Sequence, residues 1–401
     1  METLQVFETL PYPPDAGAKI KAFYTLQHLA KLGPVDLICF ARKEEQLKHK
    51  KALEEICRRV EIVFLPRSLP RECAYLSKSF LTHSPYTVIR HYHAQTAKRV
   101  RSYWSSGKYD LLYLNHLSSG QYMQPGAPAL LDTHNAHYVL MQRFADTCLQ
   151  GPKKWLALLE AHRLKRFERR SMEAVQNILA VSKEDADYLR AICPDSSVKV
   201  HVVPIGVDLD SRPFLGPSAG SGQLLFLGAL HWPPNADAAI WMAQEILPLV
   251  RAKHPHTKLL IVGHAPPGRV RELDRMPGVQ VLGYVEDLSP LLKETEVFVV
   301  PLTSGSGMRV KILDAFAWGL PVVSTTVGCE GIDAQPEEHL HVADLTQTFA
   351  EGVLRCIERR EETWMMAQKA RVLVEGRYAW PVVNRCLDEA IEEALRKHHG
   401  E

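Results

Sequence analysis

Val297-Phe298-Val299-Val300-Pro301-Leu302-Thr303-Ser304-Gly305-Ser306-Gly307-Met308-Arg309-Val310-Lys311-Ile312-Leu313-Asp314-Ala315-Phe316-Ala317-Trp318-Gly319-Leu320-Pro321-Val322-Val323-Ser324 is the stretch whose reading fixes the fold class. Four apolar residues make a buried strand, a glycine-rich turn opens a helix, and Gly319-Leu320-Pro321 ends that helix before the next strand. The small residues Gly305, Ser306 and Gly307 let backbone N–H groups approach a ligand closely. The helix N-terminus aims roughly +0.5 of a charge at the same place. Arg309 and Lys311 add two cations where the dipole disfavours them. An anion outside the helix accounts for them, and a diphosphate fits.

Outward from this unit, strand and helix alternate along the whole chain. In the first half, apolar runs at 4–7, 35–40, 60–65, 111–114, 129–131, 178–181 and 200–204 are separated by periodic stretches at 18–31, 44–59 and 153–175. The pattern restarts with runs at 224–227, 259–262, 279–282, 297–300, 322–324 and 339–342, and helical stretches at 236–253 and 347–375. Such alternation predicts an α/β fold of two Rossmann-like domains, each a parallel sheet covered on both faces. The polar, Gly/Ser/Pro-rich segment 209–222 reads as a linker between a domain over 1–208 and a domain over 223–379, with an amphipathic helical segment over 380–401. Open α/β sheets bind ligands at strand carboxyl ends, so the expected site is a central cleft faced by both sheets.

Composition narrows the class. A chain of 401 residues, 46% hydrophobic and 23% charged, is long enough for two ordinary cores. Its net charge of +2 hides an asymmetry: 30 Lys and Arg face 22 Asp and Glu over residues 1–215, against 18 and 24 over the remainder. The basic half suits an anionic acceptor, a phosphate-bearing lipid or the inner membrane surface, and equally a solvated helical face. The eight cysteines form no Cys-x-x-Cys pair, which speaks against a zinc site or a disulfide framework and for a reduced compartment. Met1-Glu2-Thr3-Leu4-Gln5-Val6 lacks the basic and apolar regions of a signal peptide, and no apolar run approaches the ~20 residues that span a bilayer. A cytoplasmic protein is expected, with any membrane contact peripheral and made through the basic first domain; nucleic acid is not an expected partner.

Asp314-Ala315-Phe316-Ala317-Trp318-Gly319-Leu320-Pro321-Val322-Val323 resembles the donor-binding signature of family 4 glycosyltransferases (glycosyl transferases group 1), retaining enzymes with the GT-B fold. That signature usually pairs two glutamates eight positions apart; here Ser306 and Asp314 stand in their places. A branch carrying Gly-Ser-Gly-x-Arg-x-Lys is similar to residues 305–311, and by that resemblance Arg309 and Lys311 form the phosphate clamp. The resemblance also implies that Val203-Pro204-Ile205-Gly206-Val207-Asp208 precedes the crossing between domains and that the last helix returns to pack on the first domain. It assigns His134, in Leu131-Asp132-Thr133-His134-Asn135, to the donor sugar near its reacting carbon. His137 reads as structural. Gly17, in the turn Pro11-Tyr12-Pro13-Pro14-Asp15-Ala16-Gly17, permits close approach of a ligand.

In the second domain Gly228 and Asn235 belong to the first turn after a strand, which lacks the Arg and Lys that many family members carry there. Gly263 follows the next strand, and Tyr284 and Val285 are the expected nucleobase contacts. Gly305, Ser306, Gly307 and Met308 cradle the diphosphate, and Asp314, on the same helical face as Lys311, is placed to accept from ribose hydroxyls. The triplets Asp185-Ala186-Asp187 and Asp208-Leu209-Asp210 read as a helix start and a linker, not as metal pairs. The expected activity is therefore metal-independent, cofactor-free transfer of a sugar, with retention, from a UDP- or GDP-linked donor to a glycan, lipid-linked or small-molecule acceptor. His134, Arg309 and Lys311 are the catalytic candidates. A nucleotide-sugar 2-epimerase of the same fold and a non-catalytic sugar-nucleotide-binding protein are the alternatives. A nicotinamide dehydrogenase does not fit, because Gly305-Ser306-Gly307-Met308-Arg309-Val310 lacks the third glycine of that fingerprint.

Overall fold

The computed structural model describes residues 1–305 and 307–399. They fall into two compact units, residues 1–206 with the segment from Trp380 onward, and Val207–Ala379. The first is built on β1 (Thr3–Phe7), β2 (Val35–Ala41), β3 (Arg59–Phe64), β4 (Leu111–Asn115), β5 (Ala129–Asp132), β6 (Asn177–Ala180) and β7 (Lys199–Val202). These pair in the order β3-β2-β1-β4-β5-β6-β7, all parallel. The second holds β8 (Gln223–Leu227), β9 (Lys258–Val262), β10 (Val279–Gly283), β11 (Val297–Val300), β12 (Val322–Ser324) and β13 (His341–Val342). Their order is β10-β9-β8-β11-β12-β13, again all parallel.

Every apolar run expected as a strand is one, and β1, β2 and β4 are buried at each residue, as a sheet covered on both faces requires. Both strand orders reverse once, between β1 and β4 and between β8 and β11. Connections leave such a point toward opposite faces and open a crevice at the strand carboxyl ends.

The helices depart from expectation where the backbone cannot continue. The stretch 236–253 is interrupted: Pro233–Trp241 and Leu247–Lys253 are joined by a wide π turn over Met242–Ile246. Pro248 has no N–H to give the preceding turn, which accounts for the widened ladder. The stretch 347–375 divides at Arg359 into Thr346–Glu358 and Arg360–Arg377. The stretch 44–59 yields only a 3-10 turn, Glu44–His49, and a short helix, Lys50–Glu54.

Segment 209–222 is tied to the second unit. Leu215 and Gly216 donate their amides to Trp318 O at 2.9 and 3.3 Å. Gly220 and Gly222 donate to the buried Glu296 carboxylate at 2.8 Å each. Gly216 has φ 74°, and a side chain there would meet the Trp364 ring at 2.2 Å.

The helix Trp380–His399 belongs to the first unit. Trp380 stacks on Tyr24 with centroids 4.5 Å apart, and Val383, Leu387, Ala390, Ile391 and Ala394 join the core formed by Leu26, Leu29 and Val35. Within that unit lies a charged pair without solvent contact: Lys21 Nζ is 2.5 Å from Asp132 Oδ1, and Tyr113 donates to Asp132 Oδ2 at 2.5 Å. Burial alone would raise the Asp132 carboxyl, but the Lys21 charge and the hydrogen bonds from Lys21 and the Tyr113 hydroxyl hold it below the usual carboxylate range.

Candidate functional site

The order reversal of the second sheet brings together the ends of β8 and β11 and the helix Val310–Ala317. Gly305 (φ 124°) and Gly307 (φ 80°) take backbone conformations that L side chains avoid, and Gly319 (φ 73°) closes the helix as its left-handed cap. The Arg309 guanidinium folds over Gly305 so closely that a Cβ there would sit 2.6 Å from Nη2. Ser306, expected in this cradle, lies outside the described residues.

Lys311 turns back toward β8. Its Nζ donates to Leu227 O at 2.6 Å, lies 3.4 Å from Asn235 Oδ1 and stands 5.3 Å over the Phe226 ring. Among the described residues no carboxylate forms an ion pair with it. Burial, reinforced by the charge of Arg309, pushes its ammonium down to about 7.

Asp314 pairs with Arg212 at 2.7 Å and not with Lys311, its neighbour on the same helical face. Burial lifts the Asp314 carboxyl above its ordinary range in spite of Arg212. Arg212, Leu227, Phe298, Lys311, Asp314 and Trp318 line a cavity of about 260 Å³. Beside it the turns after β8 and β9 touch through their backbones, since a Cβ on Gly263 would lie 1.6 Å from Gly228 O. Asn235 braces the same turn by donating to Ala229 O at 3.0 Å. Met308 is buried, Val285 is half-buried, and Tyr284 is 71% exposed, edge-on to His264 at 6.4 Å.

The reversal of the first sheet carries a second constellation. Glu8, one residue past β1, meets His116, one residue past β4: Oε2 is 2.5 Å from His116 Nδ1, and Oε1 is 3.1 Å from His91 Nδ1. Ser118 also donates to Glu8. Burial opposes ionisation of Glu8, yet His116 and His91 hold it well below the usual carboxylate range; burial likewise opposes protonation of His116, and Glu8 raises it. His116 has φ 75°, a strained conformation for a residue with a Cβ. His137 Nε2 is 3.3 Å from His116 Nε2, and its amide donates to the buried Glu168 at 2.7 Å. Glu8, Arg42, His116, Ser118, Asn135 and His137 are among the walls of a cavity of about 400 Å³.

His134 takes a different place from the one a pocket histidine would have. It is 5% exposed, with Nε2 3.2 Å from Asn115 Nδ2 and 4.0 Å from Asp132, and it is not among the cavity walls. Burial pushes its imidazole down to about 3 despite Asp132, so the ring is neutral. Gly17 opens the helix Gly17–Leu32 after β1, and the preceding Ala16 has no side-chain group to cap it. Asp185 is spent within the fold, accepting from Ala136 N at 2.9 Å and from Ser182 Oγ at 2.7 Å. Glu8, His91, His116, Lys21 and Arg212 were not singled out from the sequence. Glu8 and His116 stand beside the ends of two apolar runs, but that these strands are neighbours at the reversal is a property of the sheet.

Residues 17–211 match the model of Glycosyltransferase Family 4, and residues 221–359 match that of Glycosyl transferases group 1. An uncharacterized 44.6 kDa protein in the cps region of Klebsiella pneumoniae is 24% identical over 359 residues, covering 86% of this chain and 88% of that one. Phosphatidyl-myo-inositol mannosyltransferase of Propionibacterium freudenreichii is 25% identical over 238 residues, 58% of this chain and 56% of that protein. Among solved structures, Anabaena HepE in complex with UDP and glucose superposes with a TM-score of 0.64 at 16% identity, over 98% of this chain and 100% of that one. At that identity the likeness is one of fold.

Proposed function

Because this chain belongs to the family 4, group 1 glycosyltransferases, with the two parallel α/β sheets of the GT-B fold, we propose that it moves a sugar from a UDP- or GDP-linked donor to an acceptor hydroxyl, with retention and without a metal ion. One observation carries the reading: the half-buried Lys311 ammonium at the reversal of the second sheet, beside Arg309 and without a carboxylate partner among the described residues. Withdrawing an ammonium from water without a counter-charge is costly, and a diphosphate supplies that charge.

As the bond from the anomeric carbon to the diphosphate breaks, its electron pair passes to a phosphate oxygen. Lys311, Arg309, the glycine-turn amides and the helix Val310–Ala317 stabilise the developing charge. The arriving diphosphate also raises the proton affinity of Lys311, so the ammonium is fully charged when it is needed. Asp314, held by Arg212, is not aimed as a nucleophile; the pair is suited to ribose hydroxyls. The acceptor hydroxyl attacks from the side the leaving group occupies and gives its proton to the departing oxygen.

Tyr284 and Val285 cover the base, with Gly228, Asn235 and Gly263 shaping the turns beneath the donor. His134, buried against Asn115 and Asp132 and neutral, gives no proton to the reaction. The first-unit cavity takes the acceptor. HepE, crystallised with UDP and glucose, supports a uridine donor, and the mannosyltransferase of phosphatidyl-myo-inositol supports a lipid acceptor. Among the described residues no helix is long and apolar enough to cross a membrane. The proposed location is the cytoplasm, with peripheral contact at the inner membrane face.

The test is transfer from UDP- and GDP-sugars to acceptor panels in the presence of a chelator, with the anomeric configuration of the product read by NMR. Arg309→Ala and Lys311→Ala are expected to stay folded and lose turnover; undiminished transfer by both removes the clamp. Donor incubated alone should return unchanged, where an epimerase would convert it.

A further inference from the structure

The first-unit cavity carries more positive charge than its own fold uses. Arg42 follows β2 directly and Arg67 lies shortly after β3, while Arg90 comes from the turn after the short helix Tyr86–Ile89; all three line the cavity. Arg42 fixes the geometry by donating Nη1 to Leu65 O at 3.2 Å and Nη2 to Arg90 O at 3.1 Å, which ties the third arginine's loop to the end of β3. The Arg90 guanidinium lies 5.7 Å over the Tyr86 ring, and its Nε is buried without a hydrogen-bond partner.

None of the three arginines forms an ion pair among the described residues. The carboxylates around them are engaged elsewhere. Glu8 is held by His116, His91 and Ser118, Glu72 accepts from the Tyr86 hydroxyl, and Glu160 accepts from Thr87 and from the Tyr86 amide. Arg67 repels Arg42, Glu8 and Glu72 act on Arg42 the other way without forming an ion pair with it, and an anion in the cavity would relieve the repulsion. The volume of about 400 Å³ is that of a small-ligand pocket.

We infer that this cavity recognises a phosphate ester on the acceptor, gripped by Arg42, Arg67 and Arg90. The inference deepens the acceptor assignment made above and rests on it only for its use in catalysis. The binding experiment needs no turnover, so failure of sugar transfer leaves it decidable.

Calorimetric titration of the full chain with sn-glycerol 3-phosphate, and with glycerol as the uncharged control, should show binding of the phosphate ester alone. Arg67→Gln and Arg90→Gln should each weaken it by about tenfold or more, the worth of a hydrogen bond to a charged group. Lys311→Met, in the other unit, should leave it unchanged. Arg67 is an exposed side chain, so its variant keeps the test open if Arg90→Gln misfolds. Sedimentation with phosphatidylcholine vesicles, with and without phosphatidic acid, separates the sources. Arginine-dependent binding that requires phosphatidic acid assigns the ester to a lipid headgroup; binding of glycerol 3-phosphate without vesicle capture assigns it to a soluble acceptor. Equal affinity of wild type and both arginine variants, loss only in Lys311→Met, or no binding in either format overturns the inference.

Discussion

Replacing Lys311 by methionine should make the protein more stable while removing donor binding, and the size of the first effect follows from the environment of the ammonium. Its native proton affinity corresponds to about 7, against an ordinary 10.5. At ~1.4 kcal/mol per tenfold change in proton affinity, the gap represents at most roughly 5 kcal/mol held against the charged native state. Loss of the hydrogen bonds to Leu227 O and Asn235 returns about 1–2 kcal/mol, so methionine should gain about 3 kcal/mol near pH 6. The unfolded chain keeps the lysine proton up to about 10.5, whereas the native state releases it near 7. Between those limits the unfolded state binds more protons, so wild-type stability rises with pH and the advantage of methionine shrinks and then reverses, by about the 1–2 kcal/mol of the lost hydrogen bonds. Below that window both states are protonated and the advantage is full. Urea unfolding of both proteins near pH 6, 8 and 10, followed through the transition of the second unit, measures it. A methionine variant that is less stable near pH 6, or whose difference from wild type does not vary with pH, would refute the assignment of Lys311 as a desolvated cation. Unchanged nucleoside diphosphate affinity in the same variant would detach the cation from the ligand.

Lys21→Met should cost about 3–5 kcal/mol by stranding Asp132, and Lys21→Met combined with Asp132→Leu should recover much of it; chemical denaturation of the set reads both. Gly206→Ala should destabilise the first unit by about 1–3 kcal/mol, because the new methyl would meet the Trp380 ring at 2.4 Å. Gly268→Ala, with nothing within 4 Å of the new Cβ, is the control. Glu8→Gln should drop the His116 titration from above the ordinary histidine value to below it, seen by NMR of the imidazole protons. The raised His116 contributes stability at low pH that is lost as pH rises through its native value, and the depressed Glu8 contributes stability lost as pH falls through its own. Glu8→Gln should flatten both limbs of the stability profile.

Strand and turn chemistry carried most of the fold into the sequence. Runs such as Val35-Asp36-Leu37-Ile38-Cys39-Phe40 are apolar at nearly every position because parallel strands are covered on both faces, and that pattern survives without knowledge of partners. Gly319 before Pro321 marked a helix end that the structure places at a positive φ. The segment 209–222 looked like a free linker from composition alone, whereas Glu296, far along the chain, supplies the acceptor that fixes it.

The candidate site was legible as a cluster where its residues share one local element, as Gly305, Gly307, Arg309 and Lys311 do. It was opaque where strand order assembles it. Glu8 and His116 are 108 residues apart and meet only because β1 and β4 are neighbours. Likewise Lys21, on a helix, finds Asp132 on β5. The histidine that stood out by motif, His134, is a buried neutral ring, while His137 lines the cavity. One residue of a loop pattern does not reveal which way its side chain turns.

The closing helix has a bearing on biosynthesis. Val207–Ala379 is a contiguous stretch and can complete its core as it leaves the ribosome. The other unit begins earlier but must wait: Leu26, Leu29 and Val35 lack their apolar partners until Val383, Leu387, Ile391 and Ala394 have been made. The portion synthesised first is therefore finished last. A nascent chain stalled before Trp380 would carry an open hydrophobic seam, a target for chaperones and proteases, alongside a second unit that already folds.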